Sequence, residues 1–285
     1  MVPRLRSCLA GVVTAWLAAS PAPAFGWGEK GHIVVARIAE ANLSAKARAG
    51  IRDLVGDRSI ADKQIAVWAD LIKRSSFYAK KYPKNPTWHY IDLPIGVASE
   101  KVGDFCAQGN CVLEATRKFQ AVLADPKAPQ LDRKEALFFV VHLVGDLHQP
   151  LHCAEQNGDK GGNKRRVRLP GSGFHILNLH SVWDKTLVEA AMDELEPLDY
   201  ADRLNAGLRK EEKTTLGAGD IQAWIVETNK VAKESAYDGI GENDGITGEP
   251  IQLSAAYVKK SKAVVELQMK RAGIRLARVL NAAFD

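Results

Sequence analysis

Apolar residues recur at three- and four-residue intervals along most of this chain, the pattern of helices that each bury one stripe. Ile33, Val34, Ile38 and Ala41 make such a stripe over residues 27–43. Ser44 is placed to cap a second helix running through Leu54. Residues 60–74 predict a third, with Ile65, Trp68 and Ile72 on its apolar side. Further helices are expected at 112–123, 133–147, 178–192, 199–208, 220–235 and 253–284, the last interrupted near Gly273. Residues 82–94 are aromatic and proline-rich and read as irregular. Residues 158–173 are rich in glycine and basic side chains, and there Val167 and Leu169 predict a short hairpin with a segment ending at Leu177. A glycine-rich loop covers 239–248, and neither repeat nor linker divides the chain. The pattern predicts an all-α fold with one small β-hairpin.

Composition places this fold in a compartment. With 285 residues, 46% of them hydrophobic, the chain can bury one sizeable core. Residues 1–26 read as a secretory signal, with Arg4 and Arg6 before an apolar stretch at 9–19 and a small-x-small site at Ala24-Phe25-Gly26. The mature protein is then a single domain, 27–285, soluble and exported (secreted or periplasmic), beginning at Trp27. No later run approaches the ~20 apolar residues of a membrane span. Loss of Arg4 and Arg6 lowers the formal charge from +5 to +3, compatible with a polyanionic substrate. Cys106 and Cys111 flank a turn (FCAQGNC) and suit a disulfide in an oxidising compartment. The rival, a pair of zinc-binding thiols, lacks a second cysteine pair. Cys153 is left over as a buried thiol. Asn42-Leu43-Ser44 fits a glycosylation sequon, with Ser44 equally suited to capping.

Histidine distribution then changes the picture, because all seven lie between His32 and His180. His142 and Asp146 are four residues apart on an apolar helix, hence on one face. His180 and Asp184 repeat that spacing. Pro150 ends the first of these helices, so that His152, just beyond it, can turn back. His32 lies five residues after Trp27, whose free amine and carbonyl could chelate a metal. Asp70 and Lys73 alone would pass for a solvated ion pair. His89, Tyr90 and Asp92 share the irregular stretch, where Trp88 and Tyr90 could equally cover a core edge. Together His32, Asp70, His89, His142, Asp146, His152, His180 and Asp184 exceed what one zinc needs. Without thiolates they suit hydrolysis better than a structural knuckle, and imply two or three metals.

The ordered motifs WGEKGH, WADLIK, WHYID, FCAQGNCV, VHLVGDLHQPLH, GGN, NLHSVWD and RAGIRLARVLN resemble the single-strand-specific zinc nucleases of fungi and plants. That S1/P1 nuclease family includes mung-bean-type enzymes and bacterial relatives, and shares its fold with zinc-dependent phospholipase C. The resemblance covers nearly all of the chain after residue 26. It implies three Zn²⁺: Asp70, His89, His142 and Asp146 on the first; the Trp27 amine and carbonyl with His32 on the second, Asp146 bridging the two; His152, His180 and Asp184 on the third. His148 and His175 have no ligand counterpart. It further implies that a hydroxide shared by the close pair attacks phosphorus in line, oriented by Asp70, while Lys73 offsets transition-state charge. Single-stranded DNA and RNA are the implied substrates, giving 5′-phosphates, with 3′-nucleotidase activity besides.

The implied base pocket comprises Tyr90, Asp92, Gly161 and Asn163: Tyr90 stacks on a base, and Asp92 and Asn163 bond its edge. Lys160 stands where fungal members carry an apolar residue. The basic run at 164–168 either follows a phosphate backbone or is a solvated hairpin face. A phospholipase C on the same scaffold and a non-catalytic zinc-binding protein are the alternatives. Neither an interfacial apolar helix for the first nor a loss of Asp70 and Lys73 for the second is present, and no stable protein partner is implied.

Overall fold

Outside a three-stranded patch, regular structure in the computed structural model is helical; it describes residues 27–285, so the expected signal segment lies outside the described residues. Helix α1 (Glu29–Ala41) buries Val34, Val35 and Ile38. Helix α2 (Ala45–Val55) opens on Ser44, whose Oγ accepts from the Ala47 N–H at 3.1 Å. The neighbouring Asn42 Nδ2 donates to Ile38 O and to Asn205 Oδ1, both at 2.7 Å, so the sequon's acceptor nitrogen is already engaged.

The single helix expected over 60–74 is three pieces: α3 (Lys63–Ala66), α4 (Trp68–Leu71) and a 3-10 turn (Ile72–Arg74). Asp62 caps α3 by accepting from the Gln64 N–H, and Val67 leaves the helical region at φ −113°. Each short helix ends with carbonyls that have no intrahelical partner, and these become useful at the site. Helix α5 (Ser76–Lys81), which has no apolar stripe to announce it, is held by Lys81 Nζ at 2.6 Å from Glu135 and by the Tyr82 hydroxyl on the same carboxylate.

Helices α6 (Val112–Ala124) and α7 (Gln130–Asp146) pack together, with Phe119 and Phe139 stacked 3.9 Å apart. Every residue of α7 from Glu135 to Asp146 is buried, so beyond its first turn this helix has no solvent face. It begins three residues before the expected start. Helix α8 (Leu179–Ser181) runs through a π turn (Val182–Thr186) into α9 (Leu187–Met192). Then come α10 (Pro197–Ala206), α11 (Lys210–Gly217, unanticipated) and α12 (Ile221–Val231), the last ending in a second π turn.

Helix α13 (Ala255–Phe284) is continuous through Gly273, contrary to the expected break. A Cβ at Gly273 would lie 2.5 Å from Ile38 Cβ, so the glycine serves the close crossing with α1. The hairpin is present as β1 (Arg166–Arg168) and β2 (Leu177–Asn178), with Val167 opposite Leu177. A third strand, β3 (Ile251–Gln252), adds in parallel to the other edge of β1. Two residues are too few to carry a period.

Cys106 and Cys111 form the expected disulfide. Cys153 is a buried thiol facing Leu147 O. The basic run is not one surface. Arg165 is fully buried, with Nε 2.5 Å from Asp159 Oδ2 and Nη1 donating to the carbonyls of Gly241 and Asp244, which ties the 239–248 loop to the sheet. Among the described residues no helix is long and apolar enough to cross a membrane.

Candidate metal centre

One end of α7 is the meeting point. The helix supplies His142 and Asp146, and the 3-10 turn Pro150–His152 brings back His152. Asp70 comes from α4, His32 from α1, His180 from α8 and Asp184 from the π turn after it. His89 arrives on the irregular segment, which runs beside residues 152–155. Ile91 N–H donates to His152 O at 2.8 Å and Glu155 N–H to Leu93 O at 2.7 Å. Asn229 on α12 clamps this seam, its Nδ2 donating to Cys153 O at 2.9 Å and its Oδ1 accepting from Gly96 N–H.

All eight side chains are buried, and they form three groups whose donor atoms lie within 4.8 Å of one another: His32, Asp70 and His142; His89, His142 and Asp146; His152, His180 and Asp184. His142 is shared by the first two groups, and Asp146 touches side chains of all three. Its Oδ2 is 2.8 Å from His89 Nδ1 and 3.2 Å from His142 Nε2, and its Oδ1 is 3.3 Å from His32 Nε2 and 3.5 Å from His152 Nδ1. The His32 ring stacks on His142 at 3.9 Å, and a Cβ at Gly145 would meet its Nδ1 at 2.8 Å. A glycine there lets His32 approach the helix.

Backbone carbonyls set three of the imidazoles. His142 Nδ1 is 2.9 Å from Ala66 O, the carbonyl exposed by the break before α4. His152 Nδ1 lies 2.8 Å from His89 O, and His180 Nδ1 2.6 Å from Gly161 O. A carbonyl can only accept, so each Nδ1 carries the proton and each Nε2 turns inward as a lone pair, the form a metal needs. Gly161 has φ +58°, and a Cβ there would lie 2.3 Å from Leu151 O. No other residue would place that carbonyl under His180.

His32 Nδ1 and Nε2, Asp146 Oδ1 and His180 Nε2 are buried without hydrogen-bond partners. Unpaired polar atoms at such depth are costly unless a ligand takes them. The charge states agree for three of the imidazoles, whereas Asp146 and Asp70 raise His142 against its burial, so that without a cation it is the one that takes up a proton most readily. Burial drives His89 and His152 down to about 4 and His180 to about 3, keeping them neutral as ligands. Burial opposes ionisation of Asp70 and Asp146, yet the neighbouring imidazoles, with Lys73 for Asp70, hold both carboxyls below the usual range. Asp184 goes the other way: burial, then repulsion from Asp146 and Asp70, raises it well above the ordinary value despite the Gln149 Nε2 bond at 2.5 Å. A divalent cation would offset that repulsion and let Asp184 ionise. The donor set therefore fits metal, and imidazole with carboxylate suits zinc.

The remaining expected residues lie around this cluster. Trp27 is fully buried, and the next residue is docked by Gly28 N–H on Asp184 O at 2.7 Å. Lys73 Nζ is 2.7 Å from Asp70 Oδ1, a largely enclosed pair rather than the solvated one its spacing alone suggested. Tyr90 is 37% exposed beside the site, and Val112 N–H, next to the disulfide, donates to its carbonyl. Partial enclosure and then Asp159 raise the Asp92 carboxyl, with Lys160 opposing. Asn163 Nδ2 donates to Lys160 O at 2.9 Å.

His148 turns away: its Nδ1 faces Val144 O at 2.7 Å and its Nε2 faces Arg275 at 3.0 Å, making it a packing residue. His175 is exposed on the hairpin. Asn85, Gln149 and Asn229 were not anticipated, since single amides carry no spacing signal, and Arg165 was read only as part of the basic run.

The S1/P1 Nuclease family model matches residues 27–285. Curated relatives extend over nearly the whole length. Endonuclease 2 of Arabidopsis thaliana is 28% identical, covering 96% of each chain. Nuclease S1 of Aspergillus oryzae is 29% identical over 90% of this chain and 91% of its own. Nuclease P1 of Penicillium citrinum is 28% identical over 90% of this chain and 97% of its own.

Proposed function

The chain belongs to the S1/P1 nuclease family, and from that premise we propose that it is an exported, zinc-dependent phosphodiesterase. Its substrates are single-stranded DNA and RNA, its products carry 5′-phosphates, and it also removes 3′-phosphates from nucleotides. The observation that carries the reading is three adjoining buried His/Asp groups, each with a histidine against the Asp146 carboxylate, and partnerless donor atoms among them.

Three Zn²⁺ would be held by Asp70, His89, His142 and Asp146; by the Trp27 amine and carbonyl, His32 and Asp146; and by His152, His180 and Asp184. When bound, they supply Lewis acidity and lower the pKa of water toward neutrality. Asp70 then orients the attacking water, and Lys73, fixed beside it, offsets negative charge as phosphorus gains a fifth oxygen. Asp184, kept anionic by the cation, completes the pocket at the leaving 3′ oxygen. Tyr90 offers its half-exposed ring to a base, and Asp92 and Asn163 bond the base edge over the Gly161 turn. A face-stacking platform of this kind takes unstacked bases, which favours single strands.

The test is metal analysis of protein beginning at Trp27, together with hydrolysis of single- and double-stranded substrates and end-group analysis of the products. Zinc near three per chain and a strong single-strand preference are expected. Asp146→Asn should lose metal and slow turnover by more than the roughly 100-fold typical of a group behind the ligands. Undiminished hydrolysis by Asp146→Asn would rule out the shared carboxylate.

A further inference from the structure

Asn85 sits in the 3-10 turn Asn85–Thr87, four residues before His89, and is buried. Its Nδ2 donates to Ala69 O at 2.8 Å and its Oδ1 lies 3.1 Å from His89 Nε2. The carbonyl fixes the amide's orientation, because a flipped Asn85 would set two oxygens against each other. With Oδ1 facing the ring, His89 Nε2 must carry the proton.

His89 is therefore the inverse of its neighbours. His142, His152 and His180 give Nδ1–H to backbone carbonyls and present Nε2, whereas His89 gives Nε2–H to a side chain and presents Nδ1. That Nδ1 points at Asp146 Oδ2 2.8 Å away and lies 3.2 Å from His142 Nε2. With Nε2–H committed, Nδ1 and Oδ2 are two acceptors in contact, which requires a cation or a proton between them. The second bond of Asn85 grips the residue directly before Asp70. One amide thus holds the Asp70 turn and the His89 ring in a single register.

We propose that Asn85 is a positioning residue of the metal centre: it selects Nδ1 of His89 as the donor atom and sets the Asp70–His89 separation. The inference rests on the metal-centre reading, in which both residues bind zinc. Asn85 touches neither metal nor substrate, and it acts through His89 and Ala69. Asp at this position keeps an acceptor for Nε2–H but sets an oxygen against Ala69 O. Ala removes both bonds and leaves the His89 proton free to change nitrogen.

The experiment compares zinc-loaded wild type with Asn85→Ala and Asn85→Asp by long-range proton–nitrogen NMR of the histidine rings and by chelator competition for zinc. In wild type, His89 is expected to retain its Nε2 proton and bind through Nδ1, while His142, His152 and His180 bind through Nε2. Asn85→Ala should weaken one zinc by about 10–100-fold, and Asn85→Asp should keep the Nδ1 mode. A purely architectural role would lower stability without altering which nitrogen is metallated. Wild-type His89 bound through Nε2 overturns the inference, even if no variant folds. So does an Ala variant with wild-type zinc affinity and the same donor atom. A wild type that takes up no zinc instead defeats the metal reading itself.

Discussion

Buried histidines make the metal-free protein acid-sensitive. His89 and His152 titrate near 4 and His180 near 3, because burial disfavours their charged forms. In the unfolded chain each returns to about 6.5. Between these values the unfolded state binds more protons, so stability rises with pH and falls on acidification. Each imidazole contributes at most about 1.4 kcal/mol per pH unit in that window. Buried His148 and His32, also lowered, act in the same direction. Asp184, with its raised carboxyl, and His142, raised by Asp146 and Asp70 against its burial, favour the folded state at low pH and oppose them as two groups against several. The lowered carboxyls of Asp70 and Asp146 add to the loss further down. The urea midpoint of the metal-free protein should therefore drop steadily from pH 6.5 to pH 5, and a flat or rising midpoint would contradict the burial of neutral imidazoles. Added zinc should raise the midpoint at pH 7 and lose that benefit on acidification, since protons and metal compete for the same lone pairs. The same residues explain what could be read in advance. The HxxxD pairs of α7 and of the α8 π turn follow from helical spacing, the return of His152 from Pro150, and the assignment of Asp70 and His89 to the cluster from family resemblance. Asn85 and Gln149 were invisible: Ala69 and Asp184 lie far from them in sequence, and the four-residue spacing of Asn85 from His89 falls in a proline-rich stretch with no helical pattern to give it meaning.

At the scale of elements, the centre depends on interruptions that periodicity does not register. The break at Val67 leaves Ala66 O for His142, and the extended backbone of Gln149 after α7 lets Pro150–His152 swing back. The residues before and after Val67 keep a single stripe, so hydrophobic pattern alone predicts one helix there. Helix α7 was legible as apolar but not as buried on all sides, which only its neighbours decide. Gly273 was misread for the opposite reason. A glycine within a helix suggests a break, but here the absent side chain admits α1, and the ideal Cβ would stand 2.5 Å from Ile38 Cγ2 and 3.2 Å from Val35 O. Gly273→Ala gains up to about 1 kcal/mol of helix propensity, yet overpacking a tight core costs about 1–3 kcal/mol. Because the obstacle includes backbone, the steric cost should win. A lower unfolding midpoint with unchanged helical circular dichroism is expected, and a stabilised variant would mean that the two helices can separate freely. His32 rides on α1, so the same variant should also weaken zinc binding in chelator competition.

For the molecule as a whole, the proposed amine ligand makes the start of the chain the decisive variable. Trp27 is completely buried, Gly31 lies where any Cβ would meet Trp27 Cβ at 2.7 Å, and Gly28 N–H is bound to the carbonyl of Asp184. Residue 27 is thus seated between α1, which carries His32, and the turn that carries Asp184. A free amine there can donate a lone pair once deprotonated, its pKa being near 8. The same nitrogen inside a peptide bond cannot, because its lone pair is delocalised into the carbonyl. A single added residue also carries the amine about 3.8 Å along the chain. Protein beginning at Trp27 should hold one more zinc than protein beginning at Gly26 or at Ala24, and should hydrolyse single-stranded DNA at least about tenfold faster, the lower end of what disturbing a metal's surroundings costs. His32→Ala in the Trp27-start protein should mimic the extended chains, and combining the two changes should add little, since both remove donors from one site. Equal zinc content and equal turnover in all three chains would show that the amine is no ligand. In that case His32 and the two carboxylates near it would have to suffice.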